Sequence, residues 1–226
     1  RRAITFLEQQ PEVDPNRIGF TGFSMGGMIT ALTAIDERLK AVAPFVGGTG
    51  FKYVDFPGGI QGSSIKPHFQ NLELYKNTID ASAYWPSVKC PVMFISSSND
   101  FHSTFERIYQ SMDLLKHPNW RVTTNIHQNH RPGPEQWATL NLWFDQYLKG
   151  IDQKIPATPA SNLTLNTSSF IRSATFTVTP SDQDRLVNTE IYYSYDPNSR
   201  TRFWIRANEK SAKGIWSTQV PFHTDL

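Results

Sequence analysis

Apolar residues in the first 150 positions arrive in two rhythms, short unbroken runs and a recurrence every three to four residues, and the two rhythms alternate. The runs Ile18 to Thr21, Ala41 to Val46, Val92 to Ser96 and Arg121 to Ile126 predict short strands. The helical recurrence covers the segment around Ile4 to Leu7, then 25 to 36, 103 to 116 and 134 to 149. In the last of these Trp137, Leu140, Leu142, Trp143, Phe144, Tyr147 and Leu148 form an apolar side, and Gly150 is the expected stop. Strands without internal polar alternation are buried on both faces, so the chain predicts an α/β fold, a mostly parallel sheet with helices on both sides.

Residues 47 to 86 interrupt the alternation with Gly47, Gly48, Gly50, Gly58, Gly59 and Gly62 set among Phe51, Tyr53, Phe56, Phe69, Tyr75 and Trp85. A long insertion at the carboxyl end of a parallel strand reads as a lid or pocket wall. A solvent-facing excursion with a few short helices is the alternative. Beyond Gly150, Pro156 and Pro159 mark a linker, and period-two alternation follows in Phe176 to Val178, Ile191 to Tyr195, Phe203 to Ile205 and Ile215 to Trp216. Asp196 to Ser199 supplies a turn. The expected organisation is a catalytic domain over 1–154 and a small antiparallel β-sandwich over 155–226.

Charge changes this picture only by exclusion. Lys and Arg number 22 against 20 Asp and Glu, with no basic cluster among aromatics, so nucleic acid is not an expected partner. No apolar stretch reaches the roughly 18 to 20 residues of a membrane span, and no membrane partner is expected. The single cysteine, Cys90, lies in an apolar run and is expected to pack in the core. No His, Asp, Glu and Cys set has the short spacing of a metal site, and neither a metal nor another cofactor is expected.

The chemistry concentrates at Gly22-Phe23-Ser24-Met25-Gly26, a G-x-S-x-G pentapeptide between the Ile18 strand and a helix. A serine on so sharp a turn takes strained backbone angles, and glycines two residues to either side are expected to remove collisions. The same turn leaves the Met25 amide at a helix start, where it can serve as an oxyanion donor. An ordinary glycine-rich turn capped by serine is the plain alternative. A serine hydroxyl needs a base, and the base needs an orienting acid. Asp100 follows the strand ending at Ser96, on the same sheet edge as Ser24; the alternative for it is an acidic residue favoured at a helix N-terminus. After the strand ending at Ile126 come His127 and His130, and His130, free in the loop, is the preferred base. Phe23, Phe51, Trp85, His102 and His127 are candidates for lining the substrate pocket.

Two sets of segments carry a resemblance to a known family. Asp14 to Gly19 leading into Gly22-Phe23-Ser24-Met25-Gly26-Gly27 resembles the nucleophile region of the α/β-hydrolase superfamily, shared by dienelactone-hydrolase-like esterases, acetylxylan esterases and prolyl-oligopeptidase-type peptidases. Tyr84 to Val92, then Asn99 to His102, then His130 before Phe144 to Gly150, resembles bacterial acetylxylan-esterase-like and cephalosporin-C-deacetylase-like hydrolases. The resemblance covers residues 1 to about 155. It implies a Ser-acid-His order of catalytic residues and an acylated carbohydrate or small acyl ester as substrate. A full α/β-hydrolase sheet has about four strands before the nucleophile strand, together with the loop that supplies the second oxyanion amide. Here one helix precedes it, so a further N-terminal segment or a partner chain is expected to complete the sheet. Two other functions stay open: a prolyl-oligopeptidase-type serine peptidase, and a non-catalytic glycan-binding fragment completed by a partner.

Overall fold

The four apolar runs of the first unit become one parallel sheet. Strands β1 (Ile18–Phe23), β2 (Leu39–Phe45), β3 (Val92–Ser97) and β4 (Trp120–Asn125) lie in the order β1-β2-β3-β4. Every pairing is parallel, so all four strands end at one edge. The computed structural model describes residues 1–53, 71–152, 155–168, 170, 172–199 and 201–222. Among these, β1 pairs on one side only, with β2.

The connecting segments form helices α1 (Arg2–Glu8), α2 (Met25–Thr33), α3 (Leu72–Thr78), α4 (Phe105–Met112) and α5 (Pro134–Leu148). Helix α5 shows why its boundaries lie where they do. Pro134 sits at the first position, where its missing N–H is not needed, and the Gln136 side chain reaches back to the Gly133 N–H at 2.9 Å. At the other end Gly150 takes φ 67°, and the Ile151 N–H bonds the Asp145 carbonyl at 3.1 Å. That left-handed residue is the helix stop expected from the sequence.

Side chains alternate across the sheet with the period of a strand. From β2, Val42 faces a cluster with Ile18, Val92, Phe94, Trp85, Ile4, Ala31 and Ile108, while Ala41, Ala43 and Phe45 face a second cluster with Met93, Ile95, Leu140 and Trp143. Both faces are therefore dry, and all six residues of β3 are buried. Cys90 is part of the first cluster, and burial pushes its thiol up to about 11. It packs, as expected.

The insertion after β2 contains α3 and two 3₁₀ turns over 81–83 and 85–87. Of the residues on which the lid reading was made, Phe56, Gly58, Gly59, Gly62 and Phe69 lie outside the described residues.

Contacts divide the chain into two compact units, Arg1–Ile155 with Pro197–Thr201, and Pro156–Asp196 with Arg202–Leu226. The second unit holds two separate antiparallel sheets. One joins β5 (Ala160–Asn166), β6 (Ser173–Thr179), β9 (Lys210–Ala212) and β10 (Ile215–Pro221) in the order β5-β6-β10-β9; the other pairs β7 (Tyr192–Tyr193) with β8 (Ile205–Arg206). Strands β5 and β9 are additions to the sequence reading. All seven residues of β5 are exposed, so its hydrophobic pattern is faint. β9 is set by its turn: Ala212 pairs with Ile215 across Lys213 and Gly214, both at positive φ, as a two-residue hairpin with right-handed strand twist requires. Phe203 and Trp204, expected in a strand, precede the short ladder.

Candidate active site

The pentapeptide forms a strained elbow. β1 ends at Phe23, α2 begins at Met25, and Ser24 between them takes φ 57° and ψ −110°. A non-glycine residue there costs of order 1–3 kcal/mol and persists only when its surroundings hold it. The Ser24 N–H donates to the Phe45 carbonyl at 2.8 Å, and the Ser24 carbonyl accepts from Gly27 and Met28. Three glycines close around this turn. A Cβ on Gly22 would lie 2.4 Å from the Gly26 carbonyl oxygen, one on Gly27 2.9 Å from the Gly47 Cα, and one on Gly47 2.2 Å from the Ser24 carbonyl oxygen.

Gly26 corrects the sequence reading, because a Cβ there meets nothing within 4 Å. The motif's first glycine is required by contact with the backbone of its last, while the last has room for a side chain of its own. Gly22→Ala is expected to destabilise the protein by roughly 2–4 kcal/mol, since no flexible side chain can yield, and Gly26→Ala to stay within about 0.5 kcal/mol of the parent. Urea denaturation midpoints of the two variants check this; equal losses would contradict the steric account.

The parallel sheet brings three distant side chains to its carboxyl edge. Ser24 follows β1, Asp100 lies on the loop after β3, and His130 on the loop after β4. His130 Nε2 is 2.7 Å from Ser24 Oγ, and His130 Nδ1 is 2.7 Å from Asp100 Oδ2. The other carboxylate oxygen, Oδ1, accepts the His102 N–H at 2.7 Å and the Ser103 N–H at 2.5 Å. Asp100 is 1 % exposed. Its position in a helix-leading turn and its contact with His130 thus coexist, one oxygen serving each.

The acid and base loops are sewn together by backbone and hydroxyl groups. Ser98 Oγ accepts the His127 N–H at 2.8 Å, Ser97 Oγ donates to the Arg131 carbonyl at 2.8 Å, and the Asn99 N–H bonds the Gln128 carbonyl at 2.9 Å. Buried Gln136 donates to the Ser96 carbonyl and so ties the start of α5 to β3. These hydroxyl and amide contacts were not evident in the sequence, because each partner lies some 29 to 40 positions away along the chain.

Rings surround the imidazole. Phe101 lies 4.7 Å and Phe23 5.3 Å from the His130 ring, centroid to centroid, and both phenylalanines are partly exposed. His102 stands at 6.1 Å, nearly perpendicular. Burial, with Lys52, His130 and Arg107 adding positive charge, pushes the His102 imidazole down to about 3, so it is neutral at physiological pH. Phe101 is an addition to the sequence reading, as are Phe45 and Trp137, whose rings meet at 4.8 Å behind Phe23.

The remaining candidates separate. His127, at φ 61°, is an exposed turn residue, and it is His130 whose ring reaches Ser24. Phe51, at φ 59°, donates its N–H to Asp80 Oδ1 at 2.8 Å and sets its ring 6.3 Å from that of Tyr53. Trp85 is a correction. It is 0 % exposed, packs on Phe94 and donates from Nε1 to the Gly48 carbonyl at 3.0 Å, so its ring belongs to the core and cannot be offered to a substrate. Met25 begins α2, where an N–H lacks an intrahelical partner and can face an anion.

Residues 1–131 match the dienelactone hydrolase family. The chain belongs to that family. Its parallel sheet flanked by helices is of the α/β-hydrolase type, and solved structures share the fold at low identity. The acylaminoacyl peptidase of Pyrococcus horikoshii matches with a TM-score of 0.54 at 20 % identity, over 67 % of this chain and 27 % of its own. The acetyl xylan esterase of Paenibacillus sp. R4 matches with a TM-score of 0.53 at 20 % identity, over 65 % and 50 %. A curated Rhodopirellula baltica protein named for an inferred Xaa-Pro dipeptidyl-peptidase activity is 24 % identical over 180 residues, 62 % of this chain and 29 % of the relative. This dienelactone hydrolase family member therefore spans between about a quarter and a half of the proteins it matches.

Proposed function

We propose that the chain is the catalytic part of a serine hydrolase that cleaves carboxylic esters, with an acetylated carbohydrate as its substrate class. The observation that carries the reading is the run of two 2.7 Å contacts from Ser24 Oγ through the His130 imidazole to Asp100. In the first half-reaction Ser24 Oγ attacks the ester carbonyl as His130 Nε2 takes its proton. Asp100 holds Nδ1–H and stabilises the imidazolium, and the Met25 N–H faces the oxyanion. The tetrahedral species collapses when His130 returns the proton to the departing alcohol. Water then repeats the sequence against the acyl-serine and releases the acid. A segment or partner chain beside β1 would supply the second oxyanion donor, a reading supported by the one-sided pairing of β1 among the described residues.

The acetyl ester reading is supported by the esterase structure, of which this chain covers half. A peptidase reading is favoured by the acylaminoacyl peptidase likeness and by the name of the curated relative. A fluorophosphonate probe is expected to label Ser24 in the full-length protein, and p-nitrophenyl acetate and acetylated xylo-oligosaccharides to be hydrolysed faster than proline-containing peptide anilides. Faster peptide cleavage would transfer the assignment to the peptidase. Failure to label would leave a non-catalytic, glycan-binding component.

A further inference from the structure

We propose that Lys52 is a positioning residue for Asp100: its side-chain nitrogen holds the His102 carbonyl and so fixes the turn that presents the acid to His130. The inference rests on the proposed Ser24, His130 and Asp100 relay. Lys52 lies at the start of the insertion after β2, is 1 % exposed, and donates from Nζ to the His102 carbonyl oxygen. Its root is equally fixed. Asp80, fully buried, accepts the N–H groups of Phe51 at 2.8 Å and Lys52 at 3.1 Å.

The decisive feature is that a single peptide unit stands between the lysine and the acid. The bond joining His102 to Ser103 gives its carbonyl to Lys52 and its N–H to Asp100 Oδ1, at 2.5 Å. A cation on the oxygen side of a peptide polarises it and makes the N–H a stronger donor. Lys52 therefore strengthens the hydrogen bond that fixes the Asp100 carboxylate, and Asp100 Oδ2 fixes His130. Burying a lysine is unfavourable unless it is well partnered. Its place behind the acid loop gives the burial a use.

Among the described residues the charged groups around Lys52 are Arg107, Asp100 and Asp80, with the neutral His102 ring beside them. Burial chiefly, then Arg107, pushes the lysine down to about 7, while Asp100 and Asp80 oppose that shift. Below about 7 it is an ammonium and the support is in place. Above that it becomes a neutral amine, a weaker donor without charge, and the support fades.

The test uses the full-length protein and p-nitrophenyl acetate, with fluorophosphonate labelling of Ser24 as a control on the triad. Lys52→Met is expected to lower kcat roughly 10- to 100-fold with KM within about twofold, the scale of losing a group that orients a reacting residue. The parent's kcat/KM is expected to decline above about 7. Lys52→Arg, which stays charged, is expected to keep its rate at high pH. Labelled Lys52→Met with the parent's kcat overturns the proposal. If the methionine variant does not fold, as judged by its circular dichroism melt, the arginine variant decides: a parent profile level above about 7, or a decline that Lys52→Arg shares unchanged, overturns it. If the parent itself resists labelling, the triad reading fails instead.

Discussion

Ser24→Ala is expected to lower kcat for p-nitrophenyl acetate by roughly 10⁵- to 10⁶-fold and to abolish fluorophosphonate labelling, while leaving the fold intact. No other hydroxyl of the described residues is placed within hydrogen-bonding distance of His130 Nε2, so the imidazole would have no alcohol to deprotonate except water. Stability is expected to change by no more than about 1 kcal/mol, because alanine at φ 57° carries much the same backbone strain as serine. Ser24→Gly sharpens the test. Glycine takes that angle freely, so this variant is expected to be equally inactive yet more stable by about 1 kcal/mol. A Ser24→Ala protein that keeps more than about a hundredth of the parent rate would remove Ser24 as the nucleophile.

Asp100→Asn is expected to reduce kcat roughly 10⁴-fold with little loss of stability, and the reason lies in the hydrogen-bond directions around the side chain. Oδ1 already accepts from the His102 and Ser103 N–H groups. An asparagine must put its carbonyl oxygen there, which turns its NH₂ toward His130 Nδ1. Nδ1 then becomes the acceptor and the ring proton moves to Nε2, the atom that has to take the Ser24 proton. The side chain would be the same size in the same place, with the imidazole in the wrong tautomer. Steady-state kinetics of Asp100→Asn beside a melting curve checks both halves. A rate within tenfold of the parent would mean that Asp100 does not orient the base.

Much of the site was legible because the motif couples local geometry to chemistry. Gly22 and Ser24 sit where a strand must turn into a helix, and the Asp100 and His130 loops follow strands whose shared direction was implied by their uniform apolar runs. His130 was separable from His127 by its distance from the strand end. The phenylalanine at 101 was not separable from any other loop aromatic, since nothing in its neighbours tells that its ring meets an imidazole 29 positions later. Lys52 was hidden for the same reason. Its partner, the His102 carbonyl, belongs to a segment 50 positions on, and a lysine in a loop ordinarily faces water. Trp85 was misplaced because a tryptophan in a glycine-rich insertion looks the same whether it lines a pocket or plugs a core. Gly26 was overread from the motif, because a pentapeptide pattern does not tell which of its glycines is crowded.

Local order of the chain, from period-two and period-3.6 spacing, from glycine and proline stops and from one pentapeptide, is fixed by interactions between near neighbours, and these are written in consecutive residues. Strand alternation, the elbow at Ser24 and the end of α5 at Gly150 belong to that class. Which polar groups meet across the sheet edge is set by strand order and register, where a side chain finds its partner tens of residues away. Only when β1, β3 and β4 lie parallel do Ser24, Asp100 and His130 share one edge, with Lys52 behind the acid and Phe23 and Phe101 beside the base.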